Sequence, residues 1–318
     1  MTQQGFHRFA WSVLAFMLIV VVWGAFVRAT GSGAGCGSHW PLCNGEIVPR
    51  AEQIETVIEF SHRLTSGVAL LLVVALAVWA RRAYEPGHVV RKAAYWSLFF
   101  ILIEAAIGAR LVLSELVADN ASIERGVSMM IHLCNTFLLL GALTLTAHYA
   151  GGAKAPASWR GGRIARLFWV SVSAMMLVGA TGAIAALGDT LFPPGVPGSG
   201  VGQDSQGAHI FVQLRVVHPF VAIGTSLIIL ALIGAIRAAK LPEPARRYAN
   251  ALNALVLLQI GIGSLNMVLH APVWMQLVHL LMADSVWIAL VLTGNAALLE
   301  KPATAAVPRA RAAEPAPA

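Results

Sequence analysis

The sequence predicts an all-α integral membrane protein: eight transmembrane helices, arranged as two repeated four-helix bundles, with both termini cytoplasmic. Three observations predict it. Long continuous apolar runs recur along the chain, Lys and Arg fall in alternate connections between them, and chemistry-bearing residues recur roughly 150 positions apart. The composition agrees, being 58% hydrophobic and only 12% charged, with a mean hydropathy of +0.72. A soluble domain averages about 45–50% apolar and 25% charged residues. Three cysteines are too few for a disulfide-built fold.

Eight runs are long enough to cross a bilayer, which takes about 20 apolar residues. They lie near 9–28, 60–80, 93–113, 127–149, 164–187, 210–236, 248–269 and 274–299. Each is continuous, without the alternation of a barrel strand, so helices are expected. The first run exceeds the 7–15 residues of a signal-peptide core and lacks a clean small-residue cleavage site, so it reads as a retained helix. Gly, Pro and charge punctuate the connections. The segment 301–318, rich in Pro and Ala, is expected to be a disordered tail.

Orientation follows from the basic residues. The amino terminus, three alternate connections and the carboxy terminus carry sixteen of the 22 Lys and Arg. The other side keeps Arg28, Arg50, Arg63, Arg110, Arg125 and Arg215. The formal charge of +7 is therefore a topology signal and implies no nucleic-acid partner.

The chain also repeats itself. Glu104-Ala-Ala-Ile-Gly108 in the third run is echoed by Gln259-Ile-Gly-Ile-Gly263 in the seventh, and Gly24 by Gly179 at the same offset. His62 answers His218, and His132 answers His279. The expected halves are residues 1–150 and 151–300. Four helices per half is an even number, so the halves should be parallel, related by an axis along the membrane normal.

Four of the ten histidines lie inside runs: His62, His132, His218 and His279, in the second, fourth, sixth and eighth. All sit near the outer ends of helices running the same way, which places them at one depth. A lone membrane histidine is more often a packing or interfacial residue. Two per half at matched depth suit a planar metal macrocycle clamped from both faces, and haem iron takes axial imidazole. Zinc would want a third and fourth protein ligand.

Glu59-Phe60-Ser61-His62-Arg63 places a carboxylate three residues before a histidine, on one helical face. Ionisable groups at such a place are functional candidates by default. The equivalent of Glu59 before His218 is Arg215, a fork suited to a haem propionate or an interfacial anchor. Glu59 suits proton handling or stabilisation of developing positive charge. Cys36 and Cys43, in the first outer loop, lie in a compartment that permits disulfides. A bond would brace the Gly-rich loop above Glu59 and His62, and a redox-active pair is the alternative. Cys134 reads as a small core residue.

These residues resemble the haem A synthases. Val27-Arg-Ala-Thr-Gly-Ser-Gly33 with the Cys36/Cys43 loop is similar to that family's first outer segment. Glu59-Phe-Ser-His62-Arg63, His132-Leu-Cys-Asn135-Thr136, Val217-His218-Pro219 and His279-Leu-Leu-Met-Ala-Asp284 are similar to its helix motifs. The resemblance spans roughly residues 8–298. It implies oxidation of the C8 methyl of haem O to a formyl group, through a hydroxymethyl haem, giving haem A. It implies a substrate haem near His62, His132 and catalytic Glu59, and a resident haem b between His218 and His279. Arg28, Arg63 and Arg215 are the implied haem-binding cations. Haem O synthase and an aa3-type terminal oxidase are the implied partners, in the plasma membrane. The resemblance supplies no role for Glu104.

Two other classes share these features. A bis-histidine dihaem protein that oxidises quinol would show the same four histidines. A transporter or haem exporter would show the repeat, but with its site near the midplane and broken helices.

Overall fold

A computed structural model describes residues 2–50, 53–193 and 209–299. The expected tail, 301–318, lies outside the described residues. Regular structure within them is helical, with no strand: α1 (Gln3–Ala29), a 3-10 turn (Ser32–Ala34), α2 (Ile54–Ala83), α3 (Val89–Leu113), α4 (Ile123–Ala150), α5 (Gly162–Leu191), α6 (Ile210–Arg215), α7 (Val217–Ala238), α8 (Glu243–Val268) and α9 (Val273–Ala297). Taking α6 and α7 as one span, eight helices are long and apolar enough to cross a membrane. The chain is a multi-pass membrane protein.

The helices α1, α2, α3, α4 and α8 begin four to six residues before the apolar runs, because their first turns include polar residues. Ser122 caps α4 by accepting from Arg125 N at 3.2 Å, satisfying one of the orphan donors of a helix start. The same extension places Glu59 and His62 well inside α2, in its second and third turns.

The sixth span is broken at Val216, a feature missed in the sequence. Pro219 has no N–H to donate to the carbonyl of Arg215, and its ring crowds that carbonyl. Arg215 is accordingly the last residue of α6. Pro219 corresponds to Arg63 in α2, which runs on unbroken.

Each set of four spans packs in a ring: α1–α2–α3–α4, and α5–(α6/α7)–α8–α9. The rings meet through α1 and α4 of one set against α5 and α9 of the other. At the centre of that seam Phe137 and Trp287 stack with ring centroids 5.3 Å apart. Trp287 Nε1–H donates to Phe137 O at 2.5 Å, so the indole's polar edge is satisfied inside the core. Tyr149 OH donates to Asn295 Oδ1 at 2.8 Å, farther along α4 and α9.

Candidate functional site

The four histidines lie within three turns of the starts of α2, α4, α6/α7 and α9. His218 and His279 face each other with ring centroids 6.3 Å apart and planes at 89°. Two imidazoles sharing one metal need about 2.0 Å of bond and roughly 1.1 Å of ring on each side, about 6.2 Å in all.

Glycines make room for three of the rings. A Cβ on Gly24 of α1 would stand 2.9 Å from His62 Cε1, on Gly182 of α5 3.1 Å from His218 Cε1, and on Gly263 of α8 3.0 Å from His279 Cε1. The first is closer than real contacts allow, and the other two are tight enough that the ring would have to shift by a few tenths of an ångström. The expected correspondence of Gly24 with Gly179 is corrected here: Gly182 backs the histidine, while Gly179 makes room for Phe137. Gly108, the sequence partner of Gly263, has open space where a Cβ would go.

The rings differ in their hydrogen-bonding neighbours. His218 Nδ1 lies 3.1 Å from the Thr181 hydroxyl. Gln259 of α8 places its amide 3.2 Å from His279 Nδ1. In the first half His62 Nδ1 is buried with no hydrogen-bond partner. His132 Nδ1 is also buried without a hydrogen bond, its charged neighbour being Glu104 Oε1 at 3.5 Å. Glu104 is held by Asn135 Nδ2–H and Thr136 Oγ1–H, each at 2.5 Å. Glu104 and Gln259 thus occupy matching places beside the α4 and α9 histidines, as their sequence correspondence implies.

The expected site residues around this core divide. Glu59 is buried, and both its oxygens are engaged: Oε2 accepts from Cys36 N–H at 2.8 Å, and Oε1 from Arg63 Nε–H at 3.0 Å and Arg63 Nη2–H at 2.5 Å. Arg63 Nη1 also donates to His39 O at 2.6 Å and Leu42 O at 2.7 Å. Thr56 Oγ1–H reaches Gly35 O at 2.7 Å, and Gly35, lacking a Cβ, lies directly on the backbone of α2 at Glu55. Cys36 and Cys43 are disulfide-bonded and buried. Glu59 and Arg63 therefore fasten the bridged loop to the helix that carries His62. A fully satisfied buried cluster of this kind is costly to break at any one member.

Arg28 turns away from its own half. It donates to Ala186 O at 2.7 Å, Thr190 Oγ1 at 2.5 Å and Gln276 Oε1 at 2.8 Å, tying α1 to α5 and α9. Arg215 pairs with Asp189 at 3.4 Å, a partner that sequence reasoning missed because it lies at the far end of α5. Asp284, five residues after His279, is fully buried, and neither oxygen has a hydrogen-bond partner. Among the described residues no three His, Cys, Asp or Glu converge as a metal ion would require. The opposed His218 and His279, each backed by a glycine, instead fit a macrocycle that brings its own four nitrogens.

Comparison with known proteins bears on these features. A protein from Thermus thermophilus, named protoheme IX farnesyltransferase, is 46% identical over 293 residues, covering 91% of this chain and 48% of that protein. The haem A synthase of an Exiguobacterium species is 38% identical over 114 residues, covering 36% of this chain and 38% of that protein. The haem A synthase of Bacillus cereus is 42% identical over 114 residues, covering 36% of this chain and 37% of that protein. The chain thus spans about half the length of the Thermus relative, and a little over a third of each synthase is aligned. Residues 7–291, all eight spans with their four histidines, match the family described as cytochrome oxidase assembly protein, COX15-CtaA. The chain belongs to that family.

Proposed function

We propose that this chain is a haem A synthase, converting the C8 methyl of haem O to a formyl group by way of a hydroxymethyl haem. The observation that carries the reading is a histidine couple in each half, His62 with His132 and the opposed His218 with His279, in unequal surroundings. His218 and His279, each with a polar neighbour at the ring, suit a resident haem b. When bound, that haem supplies one-electron redox chemistry. His62 and His132, less constrained, suit a haem that enters as substrate and leaves as product. The two relatives named haem A synthase support the activity.

The name of the Thermus relative points to a neighbouring step. Prenyl transfer from a diphosphate usually needs Mg2+ held by carboxylates. The fifteen Asp and Glu of this chain are scattered over its length, and among the described residues no three of them converge. We place the farnesyl transfer in the half of the relative that this chain does not cover. The reaction class supplying this chain's substrate is then prenylation of haem, and a haem O synthase and an aa3-type oxidase are the proposed partners before and after it.

Methyl plus water to formyl releases four protons and four electrons, the electrons leaving to an external acceptor. The chain's own contribution is to hold and shield the substrate. His62 and His132 fix the macrocycle. The bridged loop, pinned by Glu59 and Arg63, covers the α2 side and excludes water. Oε2 accepts only from Cys36 N–H and keeps a lone pair that could take a proton, but neutralising the carboxylate would weaken the Arg63 pair that fixes the loop. We therefore assign Glu59 to fixing the loop and its charge beside the site, ahead of a free-base role. Arg215 and Arg28 are proposed to set the positive field at the same end of the second half.

The test is chromatography of haems extracted from membranes supplied with haem O, with and without this chain. Hydroxymethyl and formyl haems should accumulate only with the chain. A bis-histidine quinol oxidase would return its haem unaltered, and that result would replace this reading.

A further inference from the structure

Glu104 has no part in the mechanism above, although it is a carboxylate set inside the membrane-spanning part of α3, where such groups are costly. We propose that Glu104 is a positioning residue, the acceptor that orients His132 and strengthens it as a haem ligand. The proposal rests on the reading of His62 and His132 as the first-half ligands.

The argument starts from the imidazole. A metal bond through Nε2 leaves the proton on Nδ1. In His132 that nitrogen is buried and has no hydrogen bond, so a proton there needs an acceptor. Glu104 Oε1, at 3.5 Å, is the group in place. The carboxylate is itself fixed: Asn135 donates to Oε2 and Thr136 to Oε1, and Asn135 donates also to Phe100 O at 2.9 Å. All of these donors sit within four residues of His132 on α4. An anchored carboxylate behind a ligating histidine fixes the ring's tautomer and raises its basicity.

The second half supplies the contrast. Gln259 takes the corresponding place beside His279. It is the amide nitrogen, Nε2, that stands 3.2 Å from His279 Nδ1, while Oε1 is buried without a hydrogen-bond partner; a neutral amide lacks the full negative charge with which a carboxylate accepts. The same frame thus tunes two irons differently, through one side chain in each half. His132 becomes the more electron-donating ligand, which favours the oxidised iron.

A purely structural Glu104 would only tie α3 to α4, so the test must read the haem. Protohaem IX is titrated into the haem-depleted full chain in detergent, and retention, the EPR signature and the midpoint potential of each site are measured. His132→Ala identifies the first-half signal by removing it. Glu104→Gln should raise the potential of that signal and loosen its haem by about tenfold or more, leaving the other site unchanged. Gln259→Glu should lower the potential of the other site. If Glu104→Gln lowers thermal stability while the potential and EPR signature stay put, Glu104 is a helix tie and the proposal is wrong. If His132→Ala removes no haem signal, the ligand assignment beneath it fails instead, and the two failures are distinguishable.

Discussion

In the second half each histidine ring has a neutral polar neighbour, Thr181 at 3.1 Å from His218 and Gln259 at 3.2 Å from His279. In the first half His62 Nδ1 has none, and His132 has only the charged Glu104 at 3.5 Å. The helical frame is shared: the same pairings of spans, and glycines behind His62 and His218 on the first helix of each ring. What differs is how firmly the rings are held before anything binds. Pre-organised ligands lower the cost of binding, which suits a group that stays. In the first pair only His132 has a polar neighbour at the ring, and the unpartnered His62 leaves the pair less pre-organised, which suits a group that must exchange. The outer residues diverge in the same sense. Glu59 is engaged in holding a disulfide loop, whereas Arg215, three before His218, meets Asp189 at a helix break.

The largest effects should come from the histidines. His218→Ala should abolish the low-spin haem band of the second half, while His132→Ala should remove only the haem of the first. Retention of both bands in either variant would break the division between the halves. Next comes Glu59. Glu59→Ala leaves Arg63 and Cys36 N–H without their buried acceptor, a loss of about 3–5 kcal/mol for a broken buried pair. The loop should open, read as faster reduction of Cys36–Cys43 and lost haem A yield. Glu59→Gln keeps an acceptor for Cys36 N–H and should retain the loop. If it is as inactive as Ala with the disulfide still protected, the charge itself matters, and Glu59 acts on the substrate.

The glycines sharpen the comparison at smaller scale. Gly24→Ala, Gly182→Ala and Gly263→Ala each push a methyl into a histidine ring and should destabilise by about 1–3 kcal/mol, with altered haem spectra. Gly108→Ala meets open space and should stabilise α3 by about 0.5–1 kcal/mol, with spectra unchanged. A spectral change in Gly108→Ala would show that the backing is not local. The mildest test concerns sidedness: reporter fusions at Gly87 and Gly152 should read cytoplasmic and one at Asn120 external, and the reverse would overturn the proposed orientation.

Spans and histidines were legible because both obey simple rules: continuous apolarity over a bilayer's thickness, and costly polar groups inside it. The disulfide was legible as a possibility from the loop's location. The fate of Glu59 was not, since its partners Cys36 and Arg63 depend on a loop folding back onto α2. The break at Val216 had a visible cause in Pro219, but proline-bearing membrane helices often stay continuous. Asp189 and Glu104 gained meaning only when their helices were set beside Arg215 and His132. Gly182 was passed over for Gly179 because a fixed offset stands for geometry only when the connections match in length. Asp284 lies buried without a partner, and nothing in the structure explains it.

The central claim is that one half holds a haem undergoing oxidation and the other a haem that does not change. The direct measurement is mass spectrometry of the haem remaining in purified His218→Ala and His132→Ala protein from cells that make haem O. The account predicts haem O, with its hydroxymethyl and formyl products diminished and without haem b, in His218→Ala, and haem b alone in His132→Ala. Haem b alone in His218→Ala, with oxidised haem in His132→Ala, would contradict it.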